Sequence, residues 1–322
     1  MNEIGITDIK GIKVGHAQNR EAATGCTVVI CEEGAWAGVD VRGGGPASRE
    51  TELLKPVNLV ERIHAVMLSG GSAYGLDAGS GAMQYLEEKG IGFDVQVAVV
   101  PIVCGASLFD LAVGDPKVRP DKAMGYEACV NASDGPVEEG NAGAGTGASV
   151  GKLLGPDRMM KSGLGTYGLQ VGELQVAAIV AVNALGDIID VDSGKRIAGL
   201  LSEDGTKIVS TEEAMYAQYE DKTNLFSGNT TIGVVVTNAK LTKTQANKIG
   251  SIAHNGLARS IRPVHTMFDG DTIFVMATGE ADVMPDAVGA LAAEVMARAV
   301  NRAAILAEPV CGLKSAKNIA CK

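Results

Sequence analysis

Two uninterrupted apolar runs constrain the fold of this chain most. Residues 232–236 are small or β-branched and predict a buried strand. Residues 176–182 are equally apolar and predict another strand, which ends at Asn183. With 42 glycines and only 4% aromatic residues, the interior must be built from Ala, Val, Ile and Leu packed around strands and tight turns. The sequence therefore predicts a layered α/β body.

Charge and hydropathy exclude several classes of protein. The 28 Lys and Arg residues face 38 Asp and Glu residues, a balance of −10, which disfavours general binding to nucleic acid or to an anionic membrane. The sequence contains no run of 18 apolar residues, so no transmembrane helix is predicted. Residues 1–8 have neither the basic start nor the apolar core of a secretory segment. The 322 residues suffice for one sizeable domain or for two closely packed domains.

The cysteines and histidines give no sign of a metal site. No two cysteines have Cys-x-x-Cys spacing, and the histidines lack His-Glu-x-x-His or other ligand spacing. We therefore expect no metal, no cofactor and no disulfide framework, and a reducing cytoplasm as the location. The residues are Cys26, Cys31, Cys104, Cys129, Cys311, Cys321, His16, His64, His254 and His265.

Periodicity and turn residues outline the main elements. Short strands are predicted at 27–31, 37–41 and 65–68, and further strands at 168–172, 174–182 and 272–276. Helices are predicted at 48–64, 122–131 and 285–307. Two more are predicted, one that follows the turn at 69–76 and ends at 89, and one that starts at the capping box at Thr242. A polar, charged segment at 201–228 is predicted to be a mobile linker containing at most one short helix.

The junction at Asn229–Thr230 is where a polar, loop-like run stops and the strand at 232–236 begins. If the bond between these residues were cut, Thr230 would carry both a hydroxyl nucleophile and an α-amine that can act as its base. A free α-amine titrates near roughly 7.7–8.0, which suits this role at neutral pH. Asn-Thr-Thr is also a glycosylation acceptor, and polar residues commonly introduce strands. The residues alone favour an ordinary loop-to-strand junction.

Two glycine-rich segments resemble well-known motifs, the P-loop and the nucleophile elbow, but do not match them. Residues 139–152 lack the P-loop pattern because Thr146 and Leu153 stand where Gly and Ser or Thr are required. Such a loop can still bring backbone amides and Lys152 close to a reacting centre. Ser72 is not in a nucleophile elbow because Tyr74 replaces the required glycine. A turn before a helix is the better interpretation of that segment.

Three further polar residues stand at strand ends. Asn183 can be a turn former or a donor to an oxyanion. Asp269 and Asp271 can be solvated turn residues, a Ca²⁺ contact, or a polar relay around a nucleophile. The pattern by itself favours a turn for this acidic pair.

Five motifs in the same order along nearly the whole chain resemble the P1 family of self-cleaving N-terminal-nucleophile hydrolases. This family includes L-aminopeptidase/D-esterases, β-aminopeptidases and nylon-oligomer (6-aminohexanoate oligomer) hydrolases. The resemblance implies a four-layer αββα sandwich, one domain over 1–322, and processing into a larger subunit, 1–229, and a smaller one, 230–322. The motifs lie at residues 40–44, 68–77, 143–147, 229–232 and 265–271.

The resemblance also implies a set of site residues. Thr with two Asp is similar to the nylon-oligomer hydrolase branch, whereas the aminopeptidase branches use Ser with a Ser–Glu pair. Phe109 occupies the likeliest position of a tyrosine found near the site in parts of the family, which puts any role of that hydroxyl in doubt. The implied roles are Thr230 as nucleophile after cleavage at Asn229, Asn183 on the oxyanion side, Lys152 near the nucleophile, and Asp269 and Asp271 behind it.

The expected function is therefore self-cleavage followed by hydrolysis of short amide oligomers or peptides through an acyl-enzyme. The alternatives are an L-aminopeptidase/D-esterase or β-aminopeptidase, an acyltransferase, and an uncleaved binding protein. The expected partners are a small amide or peptide substrate, the two cleaved pieces for each other, and further copies of the chain. Family resemblance suggests a homotetramer.

Overall fold

The computed structural model describes residues 1–220 and 228–319. Within these ranges the α-helices are α1 Ala78–Glu88, α2 Lys122–Val130, α3 Thr211–Ala217, α4 Lys243–Ser260 and α5 Pro285–Ile305. The strands are β1 Asn2–Ile4, β2 Ile12–Asn19, β3 Thr24–Val41, β4 Ser48–Arg49, β5 Arg62–Ser69, β6 Phe93–Asp94, β7 Val99–Val100, β8 Val103–Ser107, β9 Ser149–Val150, β10 Met160–Lys161, β11 Leu164–Val171, β12 Leu174–Asn183, β13 Asp187–Ile189, β14 Arg196–Ala198, β15 Thr230–Ala239, β16 Ile261–Arg262 and β17 Thr272–Ala281.

The large sheet is continuous through the long strand β3. Its strand order is β1-β11-β12-β15-β17-β3-β5-β8-β4, and β2 also pairs with β3. The first part of β3 pairs with β2 and β5, whereas its last part pairs with β17. The pairing of β3 with β5 changes register between Ile30 and Ala35. One strand therefore belongs to two sheet halves.

An apolar core lies between these two halves. It joins Val66 and Leu68 of β5 to Ile179 of β12, Val234 of β15 and Phe274 of β17. The opposite faces of the same strands are covered by helices. Alternate residues of β12, β15 and β17 pack with α4 and α5, and alternate residues of β3 and β5 pack with α1 and α2. The predicted αββα layering is confirmed.

Glycines let the helical layers approach the sheet closely. A Cβ at Gly38 of β3 would lie 2.3 Å from the backbone N of Asn247 in α4, and one at Gly165 of β11 would lie 2.1 Å from the carbonyl O of Ala299 in α5. Helix α4 begins where the sequence predicts, because Thr242 and Gln245 form a capping box. Small residues at the contacts thus explain how a core with few aromatic side chains is packed.

The predicted helix at 48–64 is wrong. That segment contains β4, a short 3₁₀ turn at Glu52–Leu54 and the start of β5. Lys55 is extended, as favoured for a residue that precedes proline, and Glu50 has a positive φ of 58°. The strands predicted separately at 27–31 and 37–41 are both parts of β3.

The segment that leads to Thr230 is described only in part. Helix α3 begins at the N-cap Ser210, and the linker prediction for 201–228 falls partly on residues 221–227, which lie outside the described residues. No α-helix within 1–220 and 228–319 is long and apolar enough to cross a membrane.

Candidate active site

Thr230 is the first residue of the central strand β15, and its side chain is buried. Its Oγ1 donates a hydrogen bond to the carbonyl O of the preceding residue, Asn229. The same carbonyl O accepts the backbone N–H of Gly270 at 3.0 Å. A Cβ at Gly270 would lie 2.7 Å from Thr230 Oγ1. Glycine is therefore needed at 270 because the backbone passes directly beside the hydroxyl.

Asp271 contacts the peptide unit that follows Thr230. Its Oδ1 accepts the backbone N–H of Thr231 at 2.7 Å. Its Oδ2 accepts Nδ1–H of His265 at 2.7 Å and the backbone N–H of His265 at 3.2 Å. The loop before β17 thus brings this carboxylate beside the start of β15, because the two strands are parallel neighbours.

Asp269 lies in the same loop and is also buried. Its Oδ2 accepts the backbone N–H of Thr266 at 2.9 Å and the hydroxyl of Thr266 at 2.6 Å, and its Oδ1 accepts the N–H of Leu185 at 3.4 Å. Burial raises the pKa of Asp269 above its ordinary value, and the negative charge of Asp271 acts in the same direction. Asp269 therefore holds a proton more readily than an ordinary carboxyl group.

Asn183 ends β12 directly opposite Thr230 in the strand register. Its Oδ1 accepts hydrogen bonds from Nζ of Lys152 and from the backbone N–H of Ser149, and its Nδ2 donates to the carbonyl O of Phe109 at 2.9 Å. The amide group that was predicted to donate to the oxyanion therefore donates to Phe109 while the chain is uncleaved. Its role as an oxyanion donor stays a prediction.

Lys152 is buried, with 6% of its surface exposed. Burial lowers the pKa of its ammonium group to about 7, while the negative charges of Asp269 and Asp110 oppose this shift. Both the charged and the neutral form are therefore accessible near neutral pH. A lysine in this state can supply positive charge or exchange a proton.

Sequence reasoning assigned no role to Asp110 or to His265, yet both lie in this region. Asp110 accepts the hydroxyl of Thr24 and the N–H of Gly71, each at 2.7 Å, and burial raises the pKa of its carboxyl group. The ring of His265 donates a hydrogen bond to Asp271. Asp110 comes close to Lys152 only through tertiary folding, so no local pattern identifies it. His265 stands in a recognised motif, which was its one available signal.

A cavity of about 310 Å³ opens beside Lys152. Its lining is mostly apolar, and Ser149 and Lys152 are the polar side chains in it. Such a cavity suits an aliphatic or small side chain next to a reacting carbonyl. Its lining residues are Phe109, Ala112, Val113, Ser149, Lys152, Leu153, Gly155, Pro156, Met159 and Gly228.

Within the described ranges, no three His, Cys, Asp or Glu side chains are grouped so that they could hold a metal ion. The carboxylates of Asp269 and Asp271 instead accept hydrogen bonds from Thr231, His265, Thr266 and Leu185. That the protein needs no metal or cofactor stays a prediction.

Comparison with solved structures agrees with the four-layer fold. A β-aminopeptidase from Burkholderia sp. superposes with a TM-score of 0.71 at 20% identity, covering 98% of this chain and 91% of that one. An L-aminopeptidase D-Ala-esterase/amidase from Ochrobactrum anthropi, described as a variant of the Ntn hydrolase fold, gives a TM-score of 0.71 at 19% identity over 94% and 86% of the two chains. At these identities the likeness concerns the fold.

Comparison of sequences identifies the family. An uncharacterized aminopeptidase from Mycobacterium leprae (strain TN) is 41% identical over 96% of this chain and 92% of its own. A 6-aminohexanoate-oligomer endohydrolase from Paenarthrobacter ureafaciens is 33% identical over 92% and 84%. The model of peptidase family S58 matches residues 5–318. The chain therefore belongs to peptidase family S58 and is a peptide or amide hydrolase.

Proposed function

We propose that Thr230 is the N-terminal nucleophile of a self-cleaving amide hydrolase that acts on short amide oligomers or peptides through an acyl-enzyme. One observation carries the proposal. The hydroxyl of Thr230 lies against the Asn229 carbonyl, whose oxygen also receives the N–H of Gly270 at 3.0 Å. A nucleophile beside a polarised carbonyl is the arrangement that acyl transfer requires.

Self-cleavage begins when Oγ1 of Thr230 attacks the carbonyl carbon of Asn229 and gives up its proton. The oxygen that becomes negative is the one to which Gly270 N–H already donates. Collapse breaks the C–N bond, the proton goes to the departing amine, and an ester joins Asn229 to Thr230. Water then hydrolyses this ester, leaving a carboxylate on Asn229 and a free α-amine on Thr230.

Turnover uses the same hydroxyl. The α-amine takes the proton of Oγ1, which attacks the substrate carbonyl; the leaving amine departs with a proton, and water releases the acyl group. Asn183 and Lys152 serve the developing oxyanion, which requires Asn183 Nδ2 to leave Phe109 or to share its hydrogen bond. Asp269 and Asp271 orient the amine and hydroxyl of Thr230.

The substrate class follows from the cavity and the relatives. The mostly apolar lining beside Lys152 fits a neutral aliphatic acyl chain, and a relative 33% identical is named a 6-aminohexanoate-oligomer endohydrolase. We expect hydrolysis of 6-aminohexanoate oligomers in a panel that also contains β-peptides and short α-peptides. An acyl adduct on Thr230, trapped by acid quench and located by mass spectrometry, is expected with the preferred substrate. Turnover without any adduct on Thr230 would contradict the mechanism.

Aminopeptidase activity is the second candidate, favoured by the 41% identity to a relative named an aminopeptidase. N-acetylated and free oligomers of the same length separate the two activities. An endohydrolase cleaves both, whereas an aminopeptidase cleaves only the free form. Adding a competing amine during turnover and quantifying the amide product separates either hydrolase from an acyltransferase.

A further inference from the structure

His265 makes an unusual double contact with Asp271. Its φ is +57°, in the left-handed region, where residues other than Gly are uncommon and Asn, Asp and His are the most frequent of them. This backbone lets both the N–H and the ring Nδ1–H of His265 reach the same oxygen, Oδ2 of Asp271, at 3.2 and 2.7 Å. The other oxygen, Oδ1, is thereby directed to the N–H of Thr231 at 2.7 Å.

The ring of His265 is supported from behind. The ring of His254, from α4, lies edge-on to it with 4.8 Å between ring centroids. Nε2–H of His254 donates to the carbonyl O of Asp40 at 3.0 Å, and burial lowers the pKa of His254 to about 4. A neutral His254 therefore holds the His265 ring without competing for Asp271.

We propose that His265 is a positioning residue that clamps Asp271 against the N–H of Thr231 and so fixes the peptide unit that carries the nucleophile. The inference rests on the proposed function of Thr230. Because the clamp acts on the residue next to the nucleophile, it bears on self-cleavage and on turnover alike. His265 is not one of the residues that line the cavity, and the scissile carbonyl accepts hydrogen bonds from Thr230 and Gly270.

Titratable groups lie on both sides of the clamp. Lys152 lies on the side of Asp269, and His254 and Asp40 lie on the side of Asp271. Of the groups named here, the His265 ring is the one that donates a hydrogen bond directly to Asp271.

Two substitutions isolate the donor. His265→Gly removes the side chain and accepts the positive φ without strain. His265→Asn also tolerates this backbone, and its Nδ2 stands one bond from Cγ, as Nδ1 does in histidine. His64→Asn is the matched control, because His64 is a buried histidine of β5 whose ring contacts the N–H of Ile102.

The experiment measures the self-cleavage rate, and kcat and KM of processed protein, for each full-length chain. In His265→Gly we expect the self-cleavage rate and kcat to fall about 10- to 100-fold, the scale of a hydrogen bond to a charged group, with KM little changed. His265→Asn should restore most of both rates, because its Nδ2 can replace the ring donor, and His64→Asn should behave as wild type.

Wild-type protein that neither cleaves nor hydrolyses would defeat the proposed function, and not this inference alone. Active wild type together with a His265→Gly protein that cleaves itself and turns over equally fast would overturn the inference. If His265→Gly does not fold, His265→Asn decides the matter alone: a folded Asn variant that loses as much activity as Asp271→Ala rules out the donor role.

Discussion

At the residue scale, Nζ of Lys152 donates a hydrogen bond to Oδ1 of Asn183, and Asn183 stands opposite Thr230 in the strand register. Loss of one oxyanion donor typically lowers kcat about 10²–10³-fold. Asn183→Ala in processed enzyme should do so with a modest change in KM. Lys152→Arg should also lose much of its turnover, because a guanidinium keeps the charge but changes shape and proton affinity.

Steady-state kinetics on mature protein provides the measurement, and maturation is assayed separately because both substitutions should slow it. Asn238→Ala is the control, since it removes a buried amide at the other end of β15. Near-normal turnover in both Asn183→Ala and Lys152→Arg would make these residues structural parts of their loops.

A second buried lysine, Lys161, predicts how stability depends on pH. Its Nζ donates to the carbonyl O of Gly145 at 2.8 Å, and burial lowers its pKa to about 7. The unfolded chain keeps this proton up to roughly pH 10.4. Between pH 7 and 9 the unfolded state therefore binds more protons at this site, so stability rises with pH.

The free energy of unfolding of wild type should consequently gain about 1–2 kcal/mol relative to Lys161→Met between pH 7 and 9. Urea unfolding of both proteins at several pH values measures this difference. A difference that is the same at every pH would show that Lys161 does not change its protonation in this range.

The candidate site could be predicted from the sequence only where neighbouring residues along the chain form a recognisable pattern. The junction at 229–230 combines a polar run with a strand start, and this made Thr230 a candidate. The family motifs were needed to favour Thr230 over an ordinary junction and to assign Lys152, Asn183 and the acidic pair. The contacts of Asp110 and the clamp by His265 depend on the packed chain and on one positive φ. No spacing in the sequence encodes them.

At the scale of elements, the helix–sheet contact at Gly165 leaves no room for added volume. Gly165→Ala would place a methyl group 2.1 Å from the carbonyl O of Ala299, and overpacking of this kind typically costs about 1–3 kcal/mol. Gly135→Ala is the control, because the nearest atom to its Cβ is 3.5 Å away. Equal midpoints in urea for both variants would contradict the close packing of β11 against α5.

Elements with a strong local pattern were predicted well. Helix α4 has its capping box and apolar spacing, and β12 and β15 each contain an uninterrupted apolar run, 176–182 and 232–236. The helix prediction for 48–64 was wrong because a helix-like spacing of apolar residues was given more weight than Pro56, which favours an extended backbone at Lys55. The length of β3 was missed because its bend and its change of partners depend on strands distant in sequence.

At the scale of the whole molecule, cleavage after Asn229 would divide the large sheet between two pieces. Strand β15 of the smaller piece pairs with β12 of the larger one, and β17 pairs with β3. All ten residues of β15 are buried. We expect the pieces to stay associated, because separation would expose both strand edges and the apolar core.

Gel filtration of processed protein tests this association. The pieces should elute together under native conditions and separate only in denaturant. Separate elution without denaturant would contradict the prediction of one folding unit over 1–322.

Self-cleavage at Thr230 is the central claim, and intact-mass analysis of denatured, purified protein tests it most directly. Wild type should give two species, 1–229 and 230–322, and sequencing of the smaller one should begin Thr-Thr-Ile-Gly. Thr230→Ala should give one full-length species without hydrolase activity. A wild-type chain that stays whole, or a Thr230→Ala chain still cut at this bond, would contradict the account.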